Sequence, residues 1–294
     1  MSRAQRGWGG IIIGLVWVGL AQAATPQQGP IAPAPEVNKR VYSTPTPSAP
    51  SGGEGIDAER QYHHCIALAR SKPAEGWEES LAWGGLGGGE AARHCGAIAL
   101  FGLGQYEEAA IRLEGLAQES HRSNRLRAGM LAQAGQGWVM LKDYERANAV
   151  LTTALKLVPD APDLLIDRAE VLGMARNYRD ALKDLNRALK SDPRRVDALT
   201  YRATAQRFLD DRKAAQADIE AALKLDPHYQ DAWLEKGNLA RLAGDKATAR
   251  TAWQKVIELA PKSDAATAAR DNLEQLDVKQ PDDPKTAAKS EKKK

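Results

Sequence analysis

The chain has 294 residues, room for one large or two ordinary domains, and its 41 basic side chains outnumber its 38 acidic ones by a net charge of only +3. The chain is rich in Ala, Leu, Arg, Lys and Asp and has only 2 Phe, a composition that favours helices and argues against a large β core. The surplus charge sits at the ends: Arg3 and Arg6 at the start, and six lysines against Asp282, Asp283 and Glu291 after residue 278. The body between is close to neutral and lacks the basic face that a phosphate backbone demands, so no nucleic-acid partner is expected.

Residues 1–23 read as a signal peptide. Arg3 and Arg6 supply positive charge, Ile11 to Leu20 an apolar run, and "AQA" the small residues before a cut after Ala23. A spanning helix needs roughly 20 apolar residues, about twice this run, so cleavage is expected rather than a retained anchor. No Cys follows the run, which argues against a lipid anchor. The mature protein is expected to be periplasmic or secreted. Residues 24–56, with "TPQQGPIAPAP" and "STPTPSAPSGGEG", are too poor in apolar side chains to fold and are expected to form a disordered linker.

From about residue 90 the sequence repeats. Pro159, Pro193, Pro227 and Pro261 are 34 residues apart. Aligned on them, Ala97, Gly135, Ala169, Ala203 and Gly237 form a column of small residues, and Ala109, Ala147, Ala181, Ala215 and Ala249 a second. Leu113, Leu151, Leu185, Ile219 and Trp253 form a bulky column. Tyr106, Tyr144 and Tyr178 form an aromatic one that lapses to Arg212 and Lys246. Between the first two units the spacing is 38, placing four extra residues near "HRSNRL". Each unit shows helical apolar spacing, a short polar turn, and helical spacing again, which is one helical hairpin. The small columns mark where paired helices cross closely, and the prolines stop each second helix. Asp163, Asp197 and Asp231 fall in successive first turns, where a capping role is expected.

The 34-residue period, the paired small columns, the tyrosines and the terminal prolines resemble the tetratricopeptide repeat family. The resemblance implies an all-α fold, a right-handed superhelical solenoid of antiparallel helix pairs. The units are 90–127, 128–161, 162–195, 196–229 and 230–262. A degenerate leading repeat at 57–89 lacks the small column, with His64 near its place. Residues 263–278 form a C-terminal capping helix, closing a solenoid of 57–278, and residues 279–294 a disordered Lys-rich tail that touches anionic envelope surface at most weakly.

Cys65 and Cys95 lie on the first helices of adjacent pairs, 30 residues apart. In such a solenoid these helices pack side by side, and an exported protein is exposed to oxidant, so a disulfide is favoured over two core thiols. The alternative is a metal- or small-molecule-binding protein using "HHC" (His63, His64, Cys65) and "HC" (His94, Cys95). Helical neighbours point about 100° apart and cannot converge on one ion, so no metal and no cofactor is expected.

The G-x-S-x-G, phosphate-loop and H-E-x-x-H patterns are missing from the sequence, and no enzymatic activity is expected. The family resemblance implies a concave groove that binds a protein partner. Met140, Met174, Phe208 and Leu242 form an apolar row with the 34-residue period, flanked by Ile166 and Leu234, and this row is either groove or core. Gln136, Glu170, Thr204 and Asn238 are the polar groove candidates. Relatives that clamp a terminal carboxylate use a Lys/Asn/Arg set, of which only Asn238 is present. The expected function is an exported, non-enzymatic adaptor of the cell envelope that holds protein partners.

Overall fold

The structure, a computed structural model, describes residues 54–277, with side chains from residue 57. The signal segment with its cut at Ala23, most of the linker, and the Lys-rich tail lie outside the described residues. Among the described residues there are thirteen helices and no strand. They run α1 Glu54–Ser71, α2 Pro73–Gly85, α3 Gly89–Gly102, α4 Tyr106–Glu119, α5 Asn124–Met140, α6 Tyr144–Leu157, α7 Pro162–Met174, α8 Tyr178–Ser191, α9 Val196–Phe208, α10 Arg212–Leu225, α11 Gln230–Leu242, α12 Lys246–Leu259 and α13 Asp264–Asp277. The expected pairs are present, with α13 as the closing helix. Helix α1 starts at Glu54, slightly inside the stretch expected to be linker.

The small columns do what close crossing requires. Ala97, Ala169, Ala203 and the five alanines of the second column are all buried. Where the bulky column is largest, its partner is smallest. A Cβ built on Gly237 falls 2.3 Å from Nε1 of Trp253, and one on Gly135 falls 3.1 Å from Cγ of Leu151. Every bulky-column side chain is fully or almost fully buried, and each contributes roughly 1.5–3 kcal/mol on burial. One continuous core runs from Ala97 to Leu239, with smaller clusters at the two ends.

The turn inside each hairpin has a fixed chemistry. The N–H of Gln105, Asp143, Asn177, Asp211 and Asp245 each reaches back five residues to a carbonyl of the preceding helix, at 2.7–2.9 Å. This closes the first helix in a Schellman motif. The same residue then opens the second helix: Asp143, Asn177, Asp211 and Asp245 accept from the backbone N–H three residues on. The residue just before is left-handed at every turn. It is Gly104 and Gly244 at two, but Lys142, Arg176 and Asp210 at the other three. A side chain there carries a steric cost that glycine avoids, of order 1 kcal/mol.

Two ion pairs repeat with the same period. Arg168 forks onto Asp184 at 2.7 and 2.8 Å, and Arg202 onto Asp218 at 2.7 and 2.7 Å, each tying the two helices of one hairpin. Both carboxylates are buried, and the bidentate arginines supply the opposite charge that buried acids require. Asp163, Asp197 and Asp231 do lie in first turns, where the helix dipole favours them. Asp163 and Asp197 do not cap their helices, which open at Ala161 and Arg195 without a side-chain cap. Both instead bind Arg195, at 2.7 and 2.8 Å, which ties the starts of α7 and α9.

Two details go beyond the sequence expectation. The four extra residues near "HRSNRL", whose structure the sequence left open, are helical. They join α5, which has 17 residues where α7, α9 and α11 have 13. The ends of these helices keep their column, so the extra turn protrudes at the start. The leading pair also crosses closely, but not through His64, which is exposed. A Cβ on Gly76 would fall 2.4 Å from the backbone of Ala69, so those two residues make the crossing, and Lys72 alone joins the helices.

Replacing Gly237 with Ala forces a Cβ into the Trp253 ring and is expected to destabilise the fold by about 1–3 kcal/mol, more than the same change at Gly135. Gly129, where a Cβ meets nothing within 4 Å, is expected to gain about 1 kcal/mol on replacement by Ala. Urea denaturation of the three variants measures both signs.

Candidate binding face

Which side of the array is available follows from which helices touch. Consecutive first helices meet at α1/α3, α5/α7, α7/α9, α9/α11 and α11/α13. The second helices meet the next pair chiefly through its first helix, as α4/α5, α6/α7, α8/α9 and α10/α11 do. The first helices therefore form the shorter, inner side of the stack, and their outward residues form its inner face.

The expected groove residues divide. Met140 is exposed, while Met174, Phe208 and Leu242 are half-buried at the edge beside the hairpin turns. There Phe208 stacks on Tyr178 of the preceding repeat, with ring centres 4.4 Å apart and planes at 3°. The guanidinium of Arg207 lies 4.2 Å from the same ring. The row thus serves contact between repeats and offers Met140 as its exposed member. Ile166, Leu234 and Asn238 do not line a groove. Ile166 is 0% exposed and Leu234 5%, each packed into a core cluster. Asn238 is buried, giving a hydrogen bond to Glu235 and receiving one from Asn272, both at 3.2 Å. Their helical phase turns them towards the neighbouring first helix. Gln136 and Glu170 do reach the face, at a small cleft between α5 and α7.

A second opening was not expected from the sequence. It is a pocket of about 850 Å³ between α3, α5 and the start of α7. Among consecutive first helices, α3 and α5 have at most a marginal backbone contact, and the pocket occupies that gap. Side chains bridge it. The ring of buried His94 joins Tyr62 of α1 to Gln133 of α5, Nδ1 lying 2.9 Å from the Tyr62 hydroxyl and Nε2 2.8 Å from Oε1 of Gln133. The Gln133 carbonyl accepts only, so Nε2 carries the proton. Nδ1 then accepts from the Tyr62 hydroxyl, and the neutral ring satisfies both bonds. Burial lowers the His94 pKa below its ordinary 6.5, and the Gln133 bond and Glu90 only partly oppose that. Burial likewise pushes the Tyr62 hydroxyl up to about 12.

The charged groups at the pocket are mostly matched. Glu90 accepts from Ser120 Oγ at 3.0 Å and lies 3.6 Å from Arg122. Asp160 pairs with Arg187 at 3.0 Å, and Asp163 with Arg195. Partial burial pulls the Arg195 pKa down, but Asp197 and Asp163 outweigh it and hold the group above its ordinary value.

Cys65 and Cys95 form a disulfide, with Cα atoms 6.0 Å apart and both side chains fully buried. The bridge joins α1 to α3 beside the Tyr62–His94 contact. The two sulfurs are thereby bonded to each other, and both ring nitrogens of His94 are engaged by Tyr62 and Gln133. Among the described residues no group of three His, Cys, Asp or Glu side chains is placed to hold a metal ion, and no helix is long and apolar enough to cross a membrane.

The tetratricopeptide repeat family matches residues 166–207 and 202–266, the stretch where the hairpins follow one another at the strict 34-residue period. Residues 166–266 thus match tetratricopeptide repeats. Among solved structures, residues 41 to the end of MamA from Desulfovibrio magneticus RS-1 are 26% identical, over 55% of this chain and 90% of that one, with a TM-score of 0.48. YrrB, described as a tetratricopeptide repeat protein with an unusual peptide-binding site, is 19% identical over 61% and 91%, with a TM-score of 0.46. The first repeat domain of Spaghetti, bound to an HSP90 peptide, is 22% identical over 42% and 99%, with a TM-score of 0.40. No curated protein matches the chain. Arg195 apart, the pocket's lining residues lie upstream of the matched stretch, where the period is 38 instead of 34.

His94 gives a pH signature. Its folded pKa lies below 6.5, so as pH falls past 6.5 the unfolded chain gains a proton before the folded one does. The contribution is complete above that pH and is lost on acidification. The thermal midpoint is expected to fall between about pH 7.5 and about pH 5, and His94→Gln to flatten that dependence while lowering the midpoint at the higher pH. Separately, Cys65→Ser is expected to accelerate hydrogen exchange in α1 and α2 before any other helix, read by mass spectrometry.

Proposed function

We propose that the protein is an exported, non-enzymatic scaffold of the cell envelope that holds segments of other proteins against the inner face of its repeat stack. The observation that carries this is the unbroken line of touching first helices from α5 to α13, whose outward side chains meet solvent instead of another layer of the fold. One hairpin cannot build such a face, and a stack of them builds it without further cost. The match of residues 166–266 to the tetratricopeptide repeat family supports the reading, since repeats of this architecture present extended surfaces to partners. Export rests on the sequence of residues 1–23, and contact of residues 279–294 with anionic envelope surface rests on their lysines.

Thr204 lies near the middle of the stack and its side chain bonds only to the Thr200 carbonyl of its own helix. Thr204→Arg is expected to lower recovery of cross-linked partners several-fold from cells expressing the full chain, with an unchanged helical circular dichroism spectrum. Equal recovery from the variant and the parent counts against this face. Amino-terminal sequencing of the recovered protein is expected to begin after Ala23, and an uncut chain held in the cytoplasm overturns the export part.

A further inference from the structure

We propose that the pocket between α3, α5 and α7 receives an acidic side chain and the aliphatic side chain beside it, within an extended segment of a partner protein. The inference rests on the scaffold reading and adds a place and a chemistry to it.

The pocket exists because of the insertion. Four residues are about one helical turn, and α5 adds that turn ahead of Ala128, where α7, α9 and α11 have none. Two bonds hold the turn rigid: Leu126 N–H donates to Ser123 Oγ at 3.4 Å, and Arg127 Nε to the Ala117 carbonyl at 2.8 Å. The turn forms one wall and carries Arg125 and Leu126 into it. The opposite wall is the stretch from Val158 to Pro162, apolar except for Asp160, with Leu164. Its volume lies in the range of sites that enclose a ligand, and is ample for two or three side chains.

Electrostatics selects the sign. The three acids at the pocket are each taken: Glu90 by Ser120 and Arg122, Asp160 by Arg187, and Asp163 by Arg195. Arg125 has no acidic partner among the described residues. Helix α7 opens at the pocket's edge without a side-chain cap, which adds the positive end of its dipole. The Gln133 amide, whose oxygen is bound to His94, has donors free to point inward. An incoming carboxylate finds Arg125 and the Gln133 amide as donors, while an ammonium group meets Arg125. The apolar wall takes the neighbouring aliphatic group. Recognition uses a side-chain carboxylate, so the segment's own terminus is not required.

The test uses the full mature chain and two fluorescein-labelled peptides with blocked ends, one alternating leucine with glutamate and the other leucine with lysine, read by fluorescence anisotropy. The glutamate peptide is expected to bind at least about tenfold more tightly. Arg125→Glu is expected to abolish or reverse the preference. Gly129→Trp fills the pocket from a position with nothing within 4 Å of a Cβ, so it keeps the fold, checked by circular dichroism, and is expected to lose at least about tenfold in affinity. Equal binding of the two peptides, or unchanged binding by the Gly129→Trp protein, overturns the inference. Partner recovery that depends on Thr204 in a protein whose pocket shows neither effect leaves the scaffold reading standing and removes only the pocket. Loss of both removes the reading beneath it.

Discussion

The fold depends on how closely two helices of a hairpin can approach. At each crossing a small residue meets a large one, and the sizes are matched pair by pair. Trp253 requires Gly237, because even a methyl group there would sit inside the indole, and Leu151 sits tightly over Gly135. That match sets the separation of the pair, and the separation sets the groove into which the next hairpin's first helix fits. The alanines at the second column repeat the condition one helix further on. Specificity for one register follows, since a shifted hairpin would set two bulky side chains against each other.

Much of this is visible in the sequence because close packing leaves few choices of residue. The small and bulky columns, the stopping prolines and the hairpin boundaries can be read from period alone. So can the nearness of Cys65 and Cys95, once first helices are taken to lie side by side. What period alone conceals is phase. Ile166 and Leu234 share the apolar character of a groove residue, yet they are turned into the interface between neighbouring first helices. The apolar row from Met140 to Leu242 lies between those cases, because Phe208 spends one side on Tyr178. Hydrophobicity cannot separate a residue that covers a neighbour from one that awaits a partner. The forks from Arg168 to Asp184 and from Arg202 to Asp218 were legible in principle, since all four residues keep the 34-residue period.

The pocket was not legible for a different reason. It is made by an interruption of the pattern, and alignment treats an interruption as noise. Placed ahead of the first column of α5, the extra turn leaves every later crossing intact while it opens the stack between α3 and α5. The His94 ring, bound on one side to Tyr62 and on the other to Gln133, keeps that opening from collapsing or splaying. An array built for uniformity thus gains one non-uniform place without losing a single repeat contact downstream.

The disulfide gives the stack a direction. In a row of units that touch only their neighbours, melting starts at whichever end is held least well. At one end α1 is tied covalently to α3, whereas at the other α13 is held by packing and by surface pairs such as Arg250 with Asp277. Thermal fraying therefore enters through the carboxyl-terminal helix and travels towards the cross-link, and the seat at the inserted turn is among the last parts of the molecule to lose its shape.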